Sequence, residues 1–320
     1  MAIKEGCYVK RKTVSLVSLV ALPLVLFIFL FGLAQIAQAA PIAVTTTVDE
    51  NDGCGAGTGC SLREAVATAV AGDTIVVPAG TYPLTLGEIS ISQDITITGA
   101  GADSTAVTAG GSSRIFNISG GVARVSDLTL ANGLVAGTNN GGAVLLSGAT
   151  LWLTNTIVST NTANYGGGVY VNTNARLYIY NTQFISNNAT NATDYGGGAI
   201  YVNASSSVVY GFESSFIDNY AHYRGGAIFI LNGSVTLTNS HILNNLADNY
   251  GGGVYVWGNP GGVYHQVGGS IEGNHAKSLT TSNFGGGGIY NFRGSVTLDS
   301  VLLKNNRADY DGGAINSRQL

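Results

Sequence analysis

Starting at Gly166 the chain writes one unit twice: GGGVYVNTNARLYIYNTQFISNNATNATDY is followed by GGGAIYVNASSSVVYGFESSFIDNYAHYR. In each copy a glycine run opens, an apolar-aromatic segment follows, a second alternating segment comes next, and a phenylalanine stands three residues before an asparagine. Glycine runs ending at Gly142, Gly168, Gly198, Gly226, Gly253, Gly288 and Gly313 recur at intervals of 25 to 35 residues. The second anchor recurs with them as Val158 to Asn161, Phe184 to Asn187, Phe216 to Asn219, Ile242 to Asn245 and Ile271 to Asn274. The last copy slips by one residue, so that Asn305 or Asn306 fills the place. A period in this range means a solenoid, in which no unit can bury its apolar face without its neighbours.

Side-chain periodicity selects the kind of solenoid. ARLYIY (175–180), SVTLT (234–238) and SVTL (295–298) alternate with period two and are rich in Val, Leu, Thr and Tyr, the pattern of strands. Helical repeats are excluded by the density of Gly, Asn and Thr, because Gly in a helix interior costs about 1 kcal/mol relative to Ala. About three strands of 5 to 6 residues with their turns fit each unit, which is one coil of a parallel β-helix. Asn tolerates the left-handed backbone of a sharp bend, and Gly tolerates it more freely. Stacked at about 4.8 Å, equivalent Asn amides can hydrogen-bond along the stack. The spacing therefore predicts an internal ladder through Asn161, Asn187, Asn219, Asn245 and Asn274, and a stack of about nine coils that needs a cap at each end.

The start of the chain reads as an export signal, residues 1–39. Lys4, Lys10, Arg11 and Lys12 precede an apolar run from Val14 to Leu33, and Ala37-Gln38-Ala39 supplies a cleavage site. The alternative is an uncleaved anchor, since about twenty apolar residues just span a bilayer; that is the one membrane partner foreseen. Either reading places the bulk of the protein outside the cytoplasm, at the cell surface or beyond. Beyond residue 39 the net charge is minus 7, because four of the fourteen Lys and Arg and one of the eighteen acids precede it. No basic footprint for nucleic acid is present.

In an oxidising compartment Cys54 and Cys60, six apart across CGAGTGC, read as a disulfide; a zinc site would need two further ligands. CSLREAVATAVA (60–71) reads as the one helix. Ser61 and Glu64 form a capping box, Leu62, Ala65, Val66 and Val70 an apolar stripe, and Gly72 its end. Residues 40–72 are thus expected to cap a β-helix running over 73–320, the helix hiding the open edge of a first strand at Thr74 to Val77. The less regular coils that follow place Ile115, Val122, Val125, Leu128 and Leu130 inward.

The run from Val44 to Ala102, with VTTTVDENDGCGAGTGCSLREAV at its start, resembles the CSLREA domain of exported bacterial β-helix proteins. The later units, with their GGA-I and F-x-x-N elements, are similar to polymorphic outer membrane protein repeats. The resemblance covers nearly all of the chain beyond the leader. It implies a right-handed parallel β-helix of the pectate-lyase-like kind at or outside the cell surface, often in adhesins, and it brings no catalytic residue set.

Tyr165, Tyr195, Tyr223, Tyr250 and Tyr310, with Phe284, stand at or near the glycine runs, and Tyr170, Tyr201, Phe229, Tyr255 and Tyr290 follow them. The structural reading is stacked ladders that steady the solenoid; the functional one is that the first row faces solvent and binds sugar rings. Asp194, Asp218, Asp248, Asp309 and Asp311 read as turn acids, although polysaccharide lyases and hydrolases of this architecture work with clustered acids. His222, His241, His265 and His275 share no spacing, and Arg224 takes the place of a glycine facing solvent. The GGG runs lie between strands and match no phosphate-binding motif. No metal or cofactor is implied. Three functions remain open: adhesin-like binding of a glycan or cell surface without catalysis, a pectin-degrading type of lyase or hydrolase, and a structural surface-layer component. The chain end, GGAINSRQL, lies within a fresh repeat, which foresees a further segment or capping partner there.

Overall fold

Alternation in the second strand of each coil fixes which side chains turn inward. In Thr150–Thr154, Arg176–Tyr180 and Val208–Phe212 the buried positions are Leu151 and Leu153, Leu177 and Ile179, and Val209 and Gly211. These strands pair in parallel and in strict register, Leu151 beside Leu177 beside Val209 beside Val235. The computed structural model describes residues 40–318 except 112, 259–260 and 278–284. The expected export signal and Phe284 lie outside the described residues. Pro41–Leu320 forms one compact unit.

Among the described residues the strands make three sheets, of seventeen, nine and six strands. The nine-stranded sheet climbs one rung per coil from Ile89–Ile91 to Ile315–Arg318, and the six-stranded sheet consists of two-residue strands from Thr162–Ala163 to Arg307–Ala308. This is the parallel β-helix that the repeat predicts. Like residues lie over like: Val158, Phe184, Phe216, Ile242, Ile271 and Leu303 form one column. The rings of Phe184 and Phe216 in it stack with centroids 5.1 Å apart.

Glycine runs join the six-stranded sheet to the nine-stranded one, and two positions show why glycine is required. Gly197 has φ +74°, where a Cβ is strained. A Cβ on Gly198 would lie 2.2 Å from the carbonyl oxygen of Gly226 in the next coil, so backbone packs on backbone there.

The asparagine column is fully buried and hydrogen-bonded end to end. Asn161 Nδ2 donates to Asn187 Oδ1, Asn187 to Asn219, Asn219 to Asn245 and Asn245 to Asn274, at 2.9–3.0 Å. Asn306, not Asn305, continues the line by accepting from Asn274 Nδ2 at 2.9 Å. From Asn187 on, each Oδ1 also accepts the backbone N–H of the preceding Asn, that of Asn161 accepting the Gly133 N–H, and each Nδ2 also donates to a carbonyl such as Val158 or Phe184. The left-handed residue of the bend is not the ladder Asn but the one before it: Thr160, Ser186, Asp218, Asn244, Gly273 and Asn305 all have positive φ.

At the N-terminal end the helix spans Leu62–Thr68, shorter than its sequence pattern. The capping box is formed, Ser61 Oγ accepting the Glu64 N–H and Glu64 accepting the Ser61 N–H. The helix ends at Ala69, and the Val70 N–H turns to Asp73 Oδ2, which leaves Val70 exposed and outside the apolar stripe. A strand at Ile42–Ala43 pairs with Thr74–Val76, so that edge is covered by a strand and not by the helix. The helix contributes Leu62, Ala65 and Val66 to the common core. Arg63 fastens it by donating to the carbonyls of Gly87 and Glu88 just before the first strand of the nine-stranded sheet. Cys54 and Cys60 are joined by a disulfide. Val122 faces outward, because Ala123 takes the inward position beside Ile95 and Leu151. Among the described residues no helix is long and apolar enough to cross a membrane.

Candidate functional site

The tyrosines beside the glycine runs do not form the exposed row that their spacing suggests. The middle residues of the nine-stranded sheet, Tyr170, Tyr201, Phe229, Tyr255 and Tyr290, point away from the coil interior and stack in one ladder at 4.9–5.2 Å. Tyr165, Tyr195 and Tyr250 fold back over that ladder from the preceding turns, at 5.1–6.4 Å from its rings. They enclose a second apolar cluster outside the coil. Tyr250 is only 7% exposed, and burial pushes the Tyr170 phenol up to about 12. Tyr223 packs edge-on to Tyr250. Arg224 does not face solvent either; its guanidinium lies 4.4–5.4 Å from the rings of Tyr223, Tyr250, Tyr255 and Trp257, a cation held over aromatic faces. Tyr310 is exposed but stands apart from that cluster. Four of the five tyrosines are therefore packed against neighbouring rings, and Tyr310 stays exposed.

An exposed aromatic row exists elsewhere, on the outer face of the seventeen-stranded sheet. Trp152, Tyr178 and Tyr210 are register partners on the strands at 150–154, 176–180 and 208–212. Their rings stack with centroids 4.1 Å and 5.4 Å apart and planes within 16°. Two residues along, Tyr180 and Phe212 stack in a parallel ladder at 5.6 Å. The two ladders are offset by one coil and enclose a trough of about 250 Å³, floored by Ile179 and Gly211. Trp152 is 38% exposed, Tyr210 45%, Tyr180 45% and Phe212 38%, while Tyr178, the middle ring, is half-buried.

That gradient follows from stacking: inner faces are spent on neighbouring rings, and the faces at ladder ends stay open. The next register positions are small or polar. Trp152 is followed on one side by Arg124, Tyr180 by Thr154, Tyr210 by Thr236 and Phe212 by Thr238. Tyr210 and Phe212, on one strand, make a shelf of two rings about 7 Å apart along it, with the two threonine hydroxyls in the next coil. Rings with an open apolar face beside hydroxyls suit a ligand that is itself a ring with one apolar face and polar edges. The signal was present in the sequence, in the alternate aromatics of TLWLT, RLYIY and VVYGF.

Asp248, Asp309 and His241 among the remaining candidates are engaged by neighbouring side chains. Asp248 accepts from Tyr220 Oη at 2.5 Å and from Lys277 Nζ at 3.0 Å, with His222 Nδ1 4.0 Å away. Burial, with that hydrogen bond, raises the Tyr220 phenol well above its ordinary value. Asp309 is held below the usual carboxylate range by the His275 hydrogen bond first and by Arg307. Asp194 closes a turn through its N–H to Asn191 Oδ1. His241 Nδ1 lies 2.9 Å from Ser270 Oγ, and His265 takes the outward register position after Thr236. Oxygens of Glu50, Asp52 and Glu64 converge within 4.8 Å. Protein donors already serve two of them: Glu64 accepts the N–H groups of Asp52, Gly53 and Ser61, and Glu50 accepts from Thr58.

No protein-family model matches the chain, and no curated protein matches it in sequence. Solved structures similar to it include a pectin methylesterase in complex with a hexasaccharide, 12% identical, TM-score 0.44, covering 76% of this chain and 80% of that one. A PL6 family alginate lyase is 12% identical with TM-score 0.37, over 80% of this chain and 38% of that one. The A-module of an Azotobacter vinelandii mannuronan C-5 epimerase is 14% identical with TM-score 0.28, over 80% and 93%. At these identities and scores the likeness says nothing of activity.

Proposed function

We propose that the protein is a non-catalytic, adhesin-like binding module of an exported or cell-surface CSLREA-type protein with polymorphic outer membrane protein repeats. Its ligand is a glycan, and its binding face is the outer side of the seventeen-stranded sheet around Trp152, Tyr178, Tyr210, Tyr180 and Phe212. One observation carries this reading: five stacked rings, four of them well exposed, with open end faces over which no described residue folds. Elsewhere the fold covers its outward rings with loop tyrosines. A row left uncovered on a rigid sheet is pre-organised, so a ring ligand meets it without first ordering side chains.

Soluble and immobilised polysaccharides, neutral and acidic, test the proposal by affinity electrophoresis and a glycan array. Each ring face is worth about 1 kcal/mol, so Y210A/F212A should weaken binding roughly 30-fold. An exposed control at a distant rung, L302A, should leave it unchanged. Binding that survives Y210A/F212A undiminished, or a panel to which the folded wild type binds nowhere, overturns the proposal.

A further inference from the structure

Over the six rungs that contain and flank the aromatic ladders, the outward positions of these strands are almost free of charge. From the rung of Thr96 to that of Thr236 they are Thr, Ser, Val and the aromatics, with two exceptions among the described residues, Arg124 and Arg176. Arg124 is the register partner of Trp152, next to its open face. Arg176 lies two residues before Tyr178 on the same strand and the same face, one coil beyond Trp152. Two cations thus bracket the Trp152–Tyr178 step on adjacent sides.

Both side chains are exposed, and neither forms an ion pair among the described residues. The acid in the same hollow as Arg124 is Asp127, which is engaged by Asn155 Nδ2 at 2.9 Å; Glu213 stands at the turn after Phe212. In a protein with an acidic balance, two unpaired guanidinium groups beside an aromatic trough are a local reversal of sign. Guanidinium presents a planar fork that matches a carboxylate with two parallel hydrogen bonds.

Resting on the glycan-binding reading above, we infer that the ligand is a uronate polymer, whose pyranose rings sit on the aromatic faces while its carboxylates are read by Arg124 and Arg176.

The test measures binding of the full chain to polygalacturonate, to its methyl ester, to a neutral β-glucan and to heparin. Each is read at about 0.01 M and about 1 M salt, where the screening length falls from about 30 to about 3 Å. Polygalacturonate should bind about tenfold or more tighter than its ester at low salt. That preference should vanish at high salt and in R124Q/R176Q, while binding of the neutral polymer stays as in the wild type. Circular dichroism establishes that the variant is folded. Equal affinity for acid and ester, or a preference that survives in R124Q/R176Q, overturns the inference and leaves glycan binding standing. Tighter binding of heparin than of polygalacturonate overturns the carboxylate assignment. Absence of binding to all four polymers overturns both the inference and the glycan reading beneath it.

Discussion

Replacing Asn219 by Ala removes the middle amide of the buried ladder, and the hydrogen bonds around it say what is lost. Asn219 Nδ2 donates to the Phe184 carbonyl at 3.0 Å and to Asn245 Oδ1 at 2.9 Å; its Oδ1 accepts from the N–H and from Nδ2 of Asn187, both at 3.0 Å. Two neighbours keep a partner: Asn187 Nδ2 retains the Val158 carbonyl, and Asn245 Oδ1 retains the backbone N–H of residue 219. The Asn187 N–H and the Phe184 carbonyl lose this contact in a site without solvent. A buried polar group left without its partner costs about 1–3 kcal/mol, so the loss is roughly 2–6 kcal/mol. With a urea slope near 3 kcal/mol/M the midpoint falls by roughly 1–2 M, read by far-UV circular dichroism. The control is the exterior asparagine stack, where Asn181 Nδ2 donates to Asn155 Oδ1 and Asn155 Nδ2 to Asp127, each at 2.9 Å but exposed. N155G removes that amide and keeps the left-handed backbone that Asn155 adopts at φ +50°. Water replaces the exterior bonds, so N155G should stay within about 0.5 kcal/mol of the wild type. A loss below about 1 kcal/mol in N219A, or an equal loss in N155G, would refute the claim that burial gives the ladder its worth.

Two further outcomes follow from the same geometry. G198A places a Cβ 2.2 Å from the Gly226 carbonyl oxygen and 2.6 Å from that of Tyr220, both backbone atoms, and should lower stability by about 3 kcal/mol or more; G137A, at φ +69° with no atom within 4 Å, should lose only the left-handed strain of about 1–2 kcal/mol, and equal losses on chemical denaturation would contradict the backbone-packing account. Glu64 is held down to about 2, chiefly by the Ser61 N–H and then, against burial, by those of Gly53 and Asp52. Because its folded pKa lies below the ordinary 4.5, its contribution is complete above that pH and is lost as pH falls toward 2. E64Q should therefore flatten the acid-unfolding curve of the cap in that window, and an unchanged slope would count against it.

The architecture was legible because a solenoid repeats its physics in its sequence. A ladder needs an amide over an amide in every coil, so Asn161 to Asn274 recur; a backbone contact needs glycine in every coil, so Gly198 and its equivalents recur. Recurrence does not encode where a turn travels after it leaves the stack. Tyr165, Tyr195 and Tyr250 look like a row facing solvent when placed by period alone, yet their turns fold back and lay those rings over Tyr170, Tyr201 and Tyr255. Arg224 has the same history: as a break in a glycine run it reads as surface, whereas its turn carries it over four rings. Helix length failed for a local reason, since the Asp73 carboxylate captures the Val70 N–H before Gly72 is reached. The outer rings at Trp152, Tyr178 and Tyr210 sit in mid-strand, and alternation alone already turns them outward. Covered and open aromatics are thus separated by sheet: the ladder of the nine-stranded sheet lies under the glycine-run turns, and that of the seventeen-stranded sheet does not. Rings beside the glycine runs acquire a partner from the chain itself, and the rings of the second strand keep open end faces among the described residues.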